Sequence, residues 1–257
     1  FGAYSYCSSL FNLIPALTIA FGIAALPLIS SHWALKDKEK AGQIAGSVLK
    51  LSALITFPAG FGLCALSGPI LELLYPARAL EAAIAAPILR TLGVGAALVG
   101  VTAPLGSVFQ AVGRADIPVK LMAVGAVLKT AVNYFLLAVP QLNINAAPYG
   151  TILCYFFIFT SGLLLLQTTL KFQIDMAGAF FKPLFCGIVC AVSAYISYAS
   201  ISNLLSARVS CLISLVIAGI IYMIFVIFLK IITKSEILLL PKGKKIAKIL
   251  EKLLFLG

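Results

Sequence analysis

The sequence predicts an all-α integral membrane protein with seven transmembrane helices, and three observations lead to this prediction. Hydrophobic residues make up 62% of the chain and charged residues only 11%, whereas a soluble domain is nearer half apolar and a quarter charged. The mean hydropathy is +1.11. Seven apolar segments are long enough to cross a hydrocarbon core about 30 Å thick, and most basic residues lie between or after them.

The seven predicted spans differ in length. They cover residues 13–29, 44–74, 83–112, 119–139, 147–170, 179–201 and 209–232. The second and third are longer than the hydrocarbon is thick, so we expect them to tilt or bend. Pro58 and Pro104 are the expected bend points, because each has glycine close behind it and sharp helix bends occur at such residues.

The distribution of basic residues predicts the topology. A net charge of +11 would suggest a nucleic-acid partner in a soluble protein, but here the bases flank apolar segments, so we expect no nucleic acid. The second and sixth connections carry only Arg78 and Arg208. The other charged connections and the tail carry fourteen bases: Lys36, Lys38, Lys40, Arg114, Lys120, Lys171, Lys182, Lys230, Lys234, Lys242, Lys244, Lys245, Lys248 and Lys252. This predicts Phe1 outside and a cytoplasmic C-terminus.

The tail after Pro241 has the pattern of an amphipathic helix. Its apolar residues fall at helical spacing on one face, and its lysines lie off that face; the apolar set is Ile246, Ile249, Leu250, Leu253 and Leu254. We predict a surface helix that binds anionic lipid of the inner leaflet. The alternative is a helix that docks on a partner or on loops of the same protein.

Lys129 is the candidate functional residue. It lies eleven residues past Pro118, roughly 16 Å along a helix and therefore near the middle of the hydrocarbon. An ionisable residue at that depth costs roughly 3 kcal/mol and is functional by default. Glu72, the acid within a predicted span, lies at an outer end of its helix and so is not at the depth of Lys129. Asn133 is four residues after Lys129 and shares its helix face. Two interpretations remain: a water-filled cavity that accepts an anion, or a neutral or hydrogen-bonded lysine.

Two further side chains are weaker candidates for substrate binding. Arg90 lies roughly 10 Å from the outer end of its span, where it either snorkels to the interface or faces a cavity. Gln110 precedes Gly113 and Arg114 at a cytoplasmic helix end and fits a cavity mouth. We expect no catalytic residue, metal site or cofactor, because the six cysteines lie in or beside apolar segments and the chain has one histidine.

Several short motifs occur in an order that resembles a known family. The motifs are Leu10-Phe11-Asn12-Leu13, Pro15-Ala16-Leu17-Thr18, Leu26-Pro27-Leu28-Ile29-Ser30, Phe57-Pro58-Ala59-Gly60, Leu92-Gly93-Val94-Gly95, Phe109-Gln110-Ala111-Val112-Gly113-Arg114, Pro118, Lys129, Asn133-Tyr134, Pro140, Ile144-Asn145, Gly150-Thr151 and Tyr155. Together they resemble the polysaccharide-biosynthesis branch of the multidrug/oligosaccharidyl-lipid/polysaccharide exporter superfamily. The stage V sporulation protein B type is most similar, and the lipid II flippases are near relatives.

This resemblance implies two six-helix bundles around a central cavity, often with two additional helices. On that plan residues 1–171 form five helices of the second bundle, residues 172–234 two additional helices and residues 235–257 the amphipathic helix. We expect the first bundle and the helix leading into Phe1 to precede this chain. Lipid II flippases carry a basic residue before the first helix of this half, where this chain has Ser8 and Ser9, which favours the sporulation type.

The resemblance also implies a flippase of the bacterial cytoplasmic membrane. Its substrate would be a lipid-linked oligosaccharide or peptidoglycan precursor of the polyprenyl pyrophosphate type, moved by alternating access. Lys129 would contact the anionic phosphate, with Asn133 beside it. A cation-coupled drug exporter of the same superfamily, which needs an intramembrane carboxylate, and a non-transporting scaffold or fragment remain alternatives. A membrane enzyme is a further alternative, but its candidate residues lie in one lysine-rich loop: His32, Asp37 and Glu39.

Overall fold

The structure is a computed structural model that describes residues 2–139, 143–168, 170–171 and 174–231. Its α-helices are α1 (Gly2–Ala34), α2 (Lys38–Ala65), α3 (Ser67–Leu74), α4 (Ala79–Ala111), α5 (Asp116–Leu137), α6 (Ala147–Thr168), α7 (Lys182–Ile201) and α8 (Ala207–Phe228). All except the short α3 are long and apolar enough to cross a membrane, and the described ranges contain no β-strand. The prediction of an all-α membrane protein with seven spans is confirmed.

The second predicted span is not one helix. The structure divides residues 44–74 into α2, which ends at Ala65, and α3, which begins at Ser67. Leu66 between them has φ −111° and ψ 28°, outside the helical region. Pro69 explains the break, because its ring would clash with the carbonyl four residues earlier, that of Ala65, in a continuous helix.

The helix α4 continues through Pro104, and a neighbouring helix replaces the hydrogen bond that this proline removes. Proline has no N–H, so the carbonyl four residues earlier, that of Gly100, has no donor within α4. The hydroxyl of Thr18 on α1 donates to this carbonyl at 2.7 Å. The bend expected at Pro104 therefore coincides with a hydrogen bond between helices.

The same arrangement occurs at Pro58, which α2 contains in its interior. The carbonyl left without a donor there belongs to Leu54. The hydroxyl of Tyr222 on α8 donates to it, and Tyr222 is half-buried at the α2–α8 contact. Prolines within membrane helices are tolerated when neighbours satisfy the freed carbonyls in this way.

The helix α4 lies at the centre of the fold and packs against α1, α2 and α6. Its backbone comes very close to that of α2 where two glycines meet. A Cβ on Gly60 would lie 2.6 Å from the carbonyl oxygen of Gly93, and a Cβ on Gly93 would lie 2.5 Å from that of Gly60. Small residues permit such close packing, which stabilises helix pairs that share a membrane.

The remaining helices extend outward from this centre in two directions. On one side α5 packs against α6; on the other α7 packs against α2, and α8 against α7. Much of α5 is not covered by other helices, and its exposed apolar residues include Val119, Met122, Val127, Tyr134 and Phe135. The site described below lies on the opposite, α6-facing side of α5.

Alternate connections meet at the same end of the molecule. Lys38, Gln43 and Lys171 line one opening, so the first and fifth connections share an end. Glu72, Ala79 and Arg208 line an opening that joins the second and sixth connections. This placement agrees with helices that cross a membrane in alternating directions.

Two predictions concern parts of the chain that the structure does not test. The amphipathic helix of residues 235–257 lies outside the described residues. The division at residues 171 and 172 stays a prediction, and α7 packs directly on α2 of the five-helix part.

Candidate functional site

The α6-facing stripe of α5 carries the candidate residues. Ile117, Leu121 and Gly125 are the buried residues of α5, and Lys129 and Asn133 continue the same spacing of four residues. Residues four apart lie above one another on a helix. Lys129 and Asn133 therefore lie at the contact between α5 and α6, where both are half-buried.

Two glycines allow α5 and α6 to approach closely around Lys129. One turn before it, a Cβ on Gly125 would lie 2.8 Å from Sγ of Cys154. On α6, a Cβ on Gly150 would lie 3.1 Å from the carbonyl oxygen of Lys129 and would collide with Oδ1 of Asn133. The helix backbone at Lys129 is thus held directly against α6.

The Lys129 ammonium has no hydrogen-bond or ion-pair partner within the described part of the chain. It lies close enough to Cys154 for an electrostatic interaction with that thiol. Asp116, the acid of its own helix, is thirteen residues away, roughly 20 Å along the axis, and is occupied by Arg114 and Lys120. A lysine without an ion-pair partner can bind an anion that enters the contact between α5 and α6, which we call the α5–α6 seam.

Two polar atoms of α5 and α6 are buried without a hydrogen-bond partner among the described residues. These are Oδ1 of Asn133 on α5 and Oγ1 of Thr151 on α6. Buried polar atoms in native structures are normally paired, so each has unused capacity for a polar ligand or water. The Thr151 side chain lies on the side of α6 that faces α4, where its Cγ2 would be 3.7 Å from a Cβ on Gly95.

The other two candidates lie elsewhere. Arg90 and Gln110 are both exposed on α4 but are twenty residues apart, roughly 30 Å along the axis. The thiol of Cys64 on α2 donates to the carbonyl of Arg90, and the Arg90 side chain lines a groove that α7 borders. The structure brings Lys129 and Asn133 together and does not bring Arg90 or Gln110 to them.

The geometry offers no metal centre of the usual kind in the described ranges. No three His, Cys, Asp or Glu side chains there come close enough to hold an ion. All six cysteines are free, and five of them are buried. At the α5–α6 contact the arrangement combines the Lys129 ammonium with the uncharged carboxamide of Asn133, which suits hydrogen bonding and charge attraction.

Comparison with known proteins gives a family match and a structural match. A family model described as "Lipid II flippase MurJ" matches residues 1–241. The fold is similar to a solved structure titled "Lipid II flippase MurJ, inward closed conformation", with a TM-score of 0.64 and 20% sequence identity. This likeness covers 89% of the present chain and 47% of that chain, so the present chain spans about half the length of the solved protein. No curated protein sequence matches it.

Proposed function

The chain belongs to the lipid II flippase family, and we propose that it forms the second lobe of a flippase in the bacterial cytoplasmic membrane. The family match extends over residues 1–241, and the family is one of transporters rather than enzymes. Serine at positions 8 and 9, which favoured the sporulation type, does not separate the chain from this family. The chain's length relative to the solved structure supports a role as one lobe of a larger transporter.

The proposed substrate is a lipid-linked cell-wall precursor that carries phosphate. Lys129 provides the positive charge that attracts this phosphate, and the carboxamide of Asn133 lies one turn away. The observation that carries the proposal is the unpaired ammonium of Lys129 near mid-span. A point charge on a flexible stem binds phosphate well, and keeping such a charge inside a membrane without a role is costly.

Alternating access is the proposed mechanism of movement. The helix α5 packs mainly on α6, whereas α6 also packs on α4. The α5–α6 pair is therefore attached to the centre mainly through α6. The exposed apolar residues of α5 meet lipid or the first lobe, and the proposed change between these surroundings exposes Lys129 first to one side of the membrane and then to the other.

The proposed orientation places Phe1 outside and the C-terminus in the cytoplasm. It rests on the fourteen basic residues of one side against two on the other. The connections that share an end in the structure also share a side in this count. In this orientation the basic tail lies at the inner leaflet, where anionic lipid attracts it.

The proposal is tested with Lys129→Ala in the complete flippase. We expect translocation of the lipid-linked precursor to fall at least tenfold, because a charge-assisted hydrogen bond to phosphate contributes about 1.5–3 kcal/mol. Lys129→Arg should retain part of the activity. Lys120→Ala is the matched control, since Lys120 lies on the same helix but pairs with Asp116 at the surface. Normal translocation by a folded Lys129→Ala protein contradicts the proposal.

A further inference from the structure

A groove on the side of the fold away from Lys129 lies between α3, α4 and α7. It encloses about 340 Å³. The residues that define this Arg90 groove are Ser67, Gly68, Pro87, Arg90, Tyr195 and Tyr198. The break at Leu66 helps to form it, because α3 begins at its edge with no side-chain cap.

The Arg90 side chain is long enough to reach the level of the phospholipid phosphates. The helix α4 has 33 residues and is therefore roughly 50 Å long, against a hydrocarbon core of about 30 Å. Arg90 is eleven residues past Ala79, roughly 16 Å from that end, so its Cα lies about 6 Å inside the hydrocarbon when the helix is centred. Arginine at this depth extends its guanidinium to the interface.

The Arg90 guanidinium is without a protein partner in the described part of the chain. Its side chain is exposed and forms no hydrogen bond or ion pair there. No acidic side chain of the described ranges lines the groove; Glu72 on α3 lines the neighbouring opening beside Arg208. A guanidinium without a protein partner at the hydrocarbon boundary is expected to bind an anion from outside the protein.

Two tyrosines form the opposite wall at the same depth. Tyr195 and Tyr198 are three residues apart and so share a face of α7. They lie six and three residues before Ile201, where α7 ends, within roughly 9 Å of that end. Tyrosine is enriched at this level of a membrane, with its ring in hydrocarbon and its hydroxyl at the headgroups. The groove therefore combines one cation, hydroxyl donors and an apolar floor.

We propose that the Arg90 groove binds the phosphodiester of a membrane phospholipid. Arg90 holds the phosphate through charge-assisted hydrogen bonds, and the two tyrosines flank the glycerol region. On the proposed topology this lipid belongs to the outer leaflet.

This bound phospholipid is distinct from the transported precursor. Arg90 lies where α4 meets α2 and borders α7, whereas Lys129 lies between α5 and α6. The lipid thus links α3 and α4 to α7 at one end of the fold. The site does not depend on Lys129, so the two proposals fail independently.

The test is native mass spectrometry of the full chain in detergent with added phosphatidylglycerol. We expect Arg90→Gln to weaken phosphatidylglycerol binding about tenfold, while Arg90→Lys weakens it less. Arg208→Gln is the matched control, since Arg208 is exposed at the same end but outside the groove.

Two outcomes overturn the proposal. One is equal phosphatidylglycerol binding by Arg90→Gln and the unchanged chain. The other is displacement of the lipid by a large excess of inorganic phosphate, which would show a site for free anions rather than for a lipid. If Arg90→Gln does not fold, as judged by circular dichroism and gel filtration, phosphatidylglycerol binding is measured for the Tyr195→Phe/Tyr198→Phe double variant instead. We expect it to bind the lipid about threefold more weakly, and unchanged binding overturns the proposal.

Discussion

The hydroxyl of Tyr222 on α8 donates a hydrogen bond to the carbonyl of Leu54 on α2, a carbonyl that Pro58 leaves without a donor in its own helix. The residues are 168 positions apart in the chain. This hydrogen bond ties the last described helix to the second one. It also compensates for the proline, so that α2 continues to Ala65.

Tyr222→Phe should therefore destabilise the contact between α2 and α8. The change removes a single hydroxyl and leaves the carbonyl of Leu54 buried without a donor, so we expect a loss of about 1 kcal/mol in the free energy of unfolding. The midpoint of unfolding in sodium dodecyl sulfate measures it. Tyr149→Phe is the control, because Tyr149 is exposed. Equal midpoints for the two variants would contradict the role of the hydroxyl.

Thr18→Val tests the corresponding hydrogen bond at Pro104. Thr18 is fully buried and donates to Gly100 across 82 positions of sequence. We expect a loss of about 1 kcal/mol, measured as above. Thr130→Val provides the comparison, since its hydroxyl is exposed and bonds to Ala126 of its own helix at 2.9 Å. If both valine variants unfold at the same midpoint, the bond between helices contributes nothing.

Gly150→Ala should separate α5 from α6. The added Cβ collides with the Asn133 carboxamide and lies 3.1 Å from the Lys129 carbonyl oxygen, so a cost of about 1–3 kcal/mol in unfolding free energy is expected. Gly62→Ala is the control, because a Cβ there has no heavy atom within 4 Å. Asn133→Ala combined with Gly150→Ala should recover part of the stability. A fully stable Gly150→Ala protein would show that the seam has more room than the structure indicates.

Lys129→Leu should favour membrane insertion while Lys129→Ala impairs transport. Replacing the charge near the centre of α5 removes roughly 3 kcal/mol of insertion cost. Glycosylation mapping of the isolated α5 segment measures the inserted fraction. Lys120→Leu, near the cytoplasmic end of the same helix, should change it much less, because an ammonium there reaches the interface. An equal gain from both substitutions would contradict the assigned depth of Lys129.

Asp37 predicts an acid-dependent loss of stability at the start of α2. The Lys40 backbone N–H donates to its carboxylate at 3.2 Å and holds the pKa of that carboxyl below its usual value of 3.8. Because the folded pKa is the lower one, the stabilisation is present above about pH 4 and is lost as the pH falls through the folded pKa.

Thermal unfolding of the unchanged chain and of Asp37→Ala between neutral and strongly acidic pH measures this effect. The unchanged chain should unfold at the higher temperature near neutral pH, and the difference should shrink toward acid. Asp37→Asn keeps a capping side chain but cannot titrate, so its advantage over Asp37→Ala should not change with pH. A difference between unchanged chain and Asp37→Ala that stays constant to strong acid would contradict the prediction.

The sequence predicted the helices well because membrane helices follow from local properties. Length and hydropathy decide whether a segment can span a bilayer, and all seven predicted spans correspond to long apolar helices. The error within the second span arose because apolar residues continue across Leu66, so hydropathy does not register the break. Pro69 by itself did not mark the break, because α1, α2 and α4 continue through Pro15, Pro27, Pro58, Pro87 and Pro104.

The candidate site residues stay predictions, and the structure shows only where they lie. Asn133 was grouped with Lys129 because the two are four residues apart on one helix, and both lie at the contact between α5 and α6. Arg90 and Gln110 were grouped with them because all are polar residues in apolar segments. Whether Arg90 and Gln110 lie near Lys129 depends on which side of α4 faces each neighbouring helix. The glycines of α4 show this orientation, because Gly93 contacts α2 and Gly95 faces α1 and α6.

The sequence by itself determined that this chain is a helical membrane protein with seven spans, and that Lys129 shares a helix face with Asn133. These properties depend on residues within one segment, where spacing is sufficient. The tertiary structure decided that Tyr222 and Thr18 satisfy the carbonyls freed by Pro58 and Pro104, and that Arg90 faces a groove of its own. Those relationships join residues far apart in sequence, and they arise only when the helices pack and each buried polar group requires a partner.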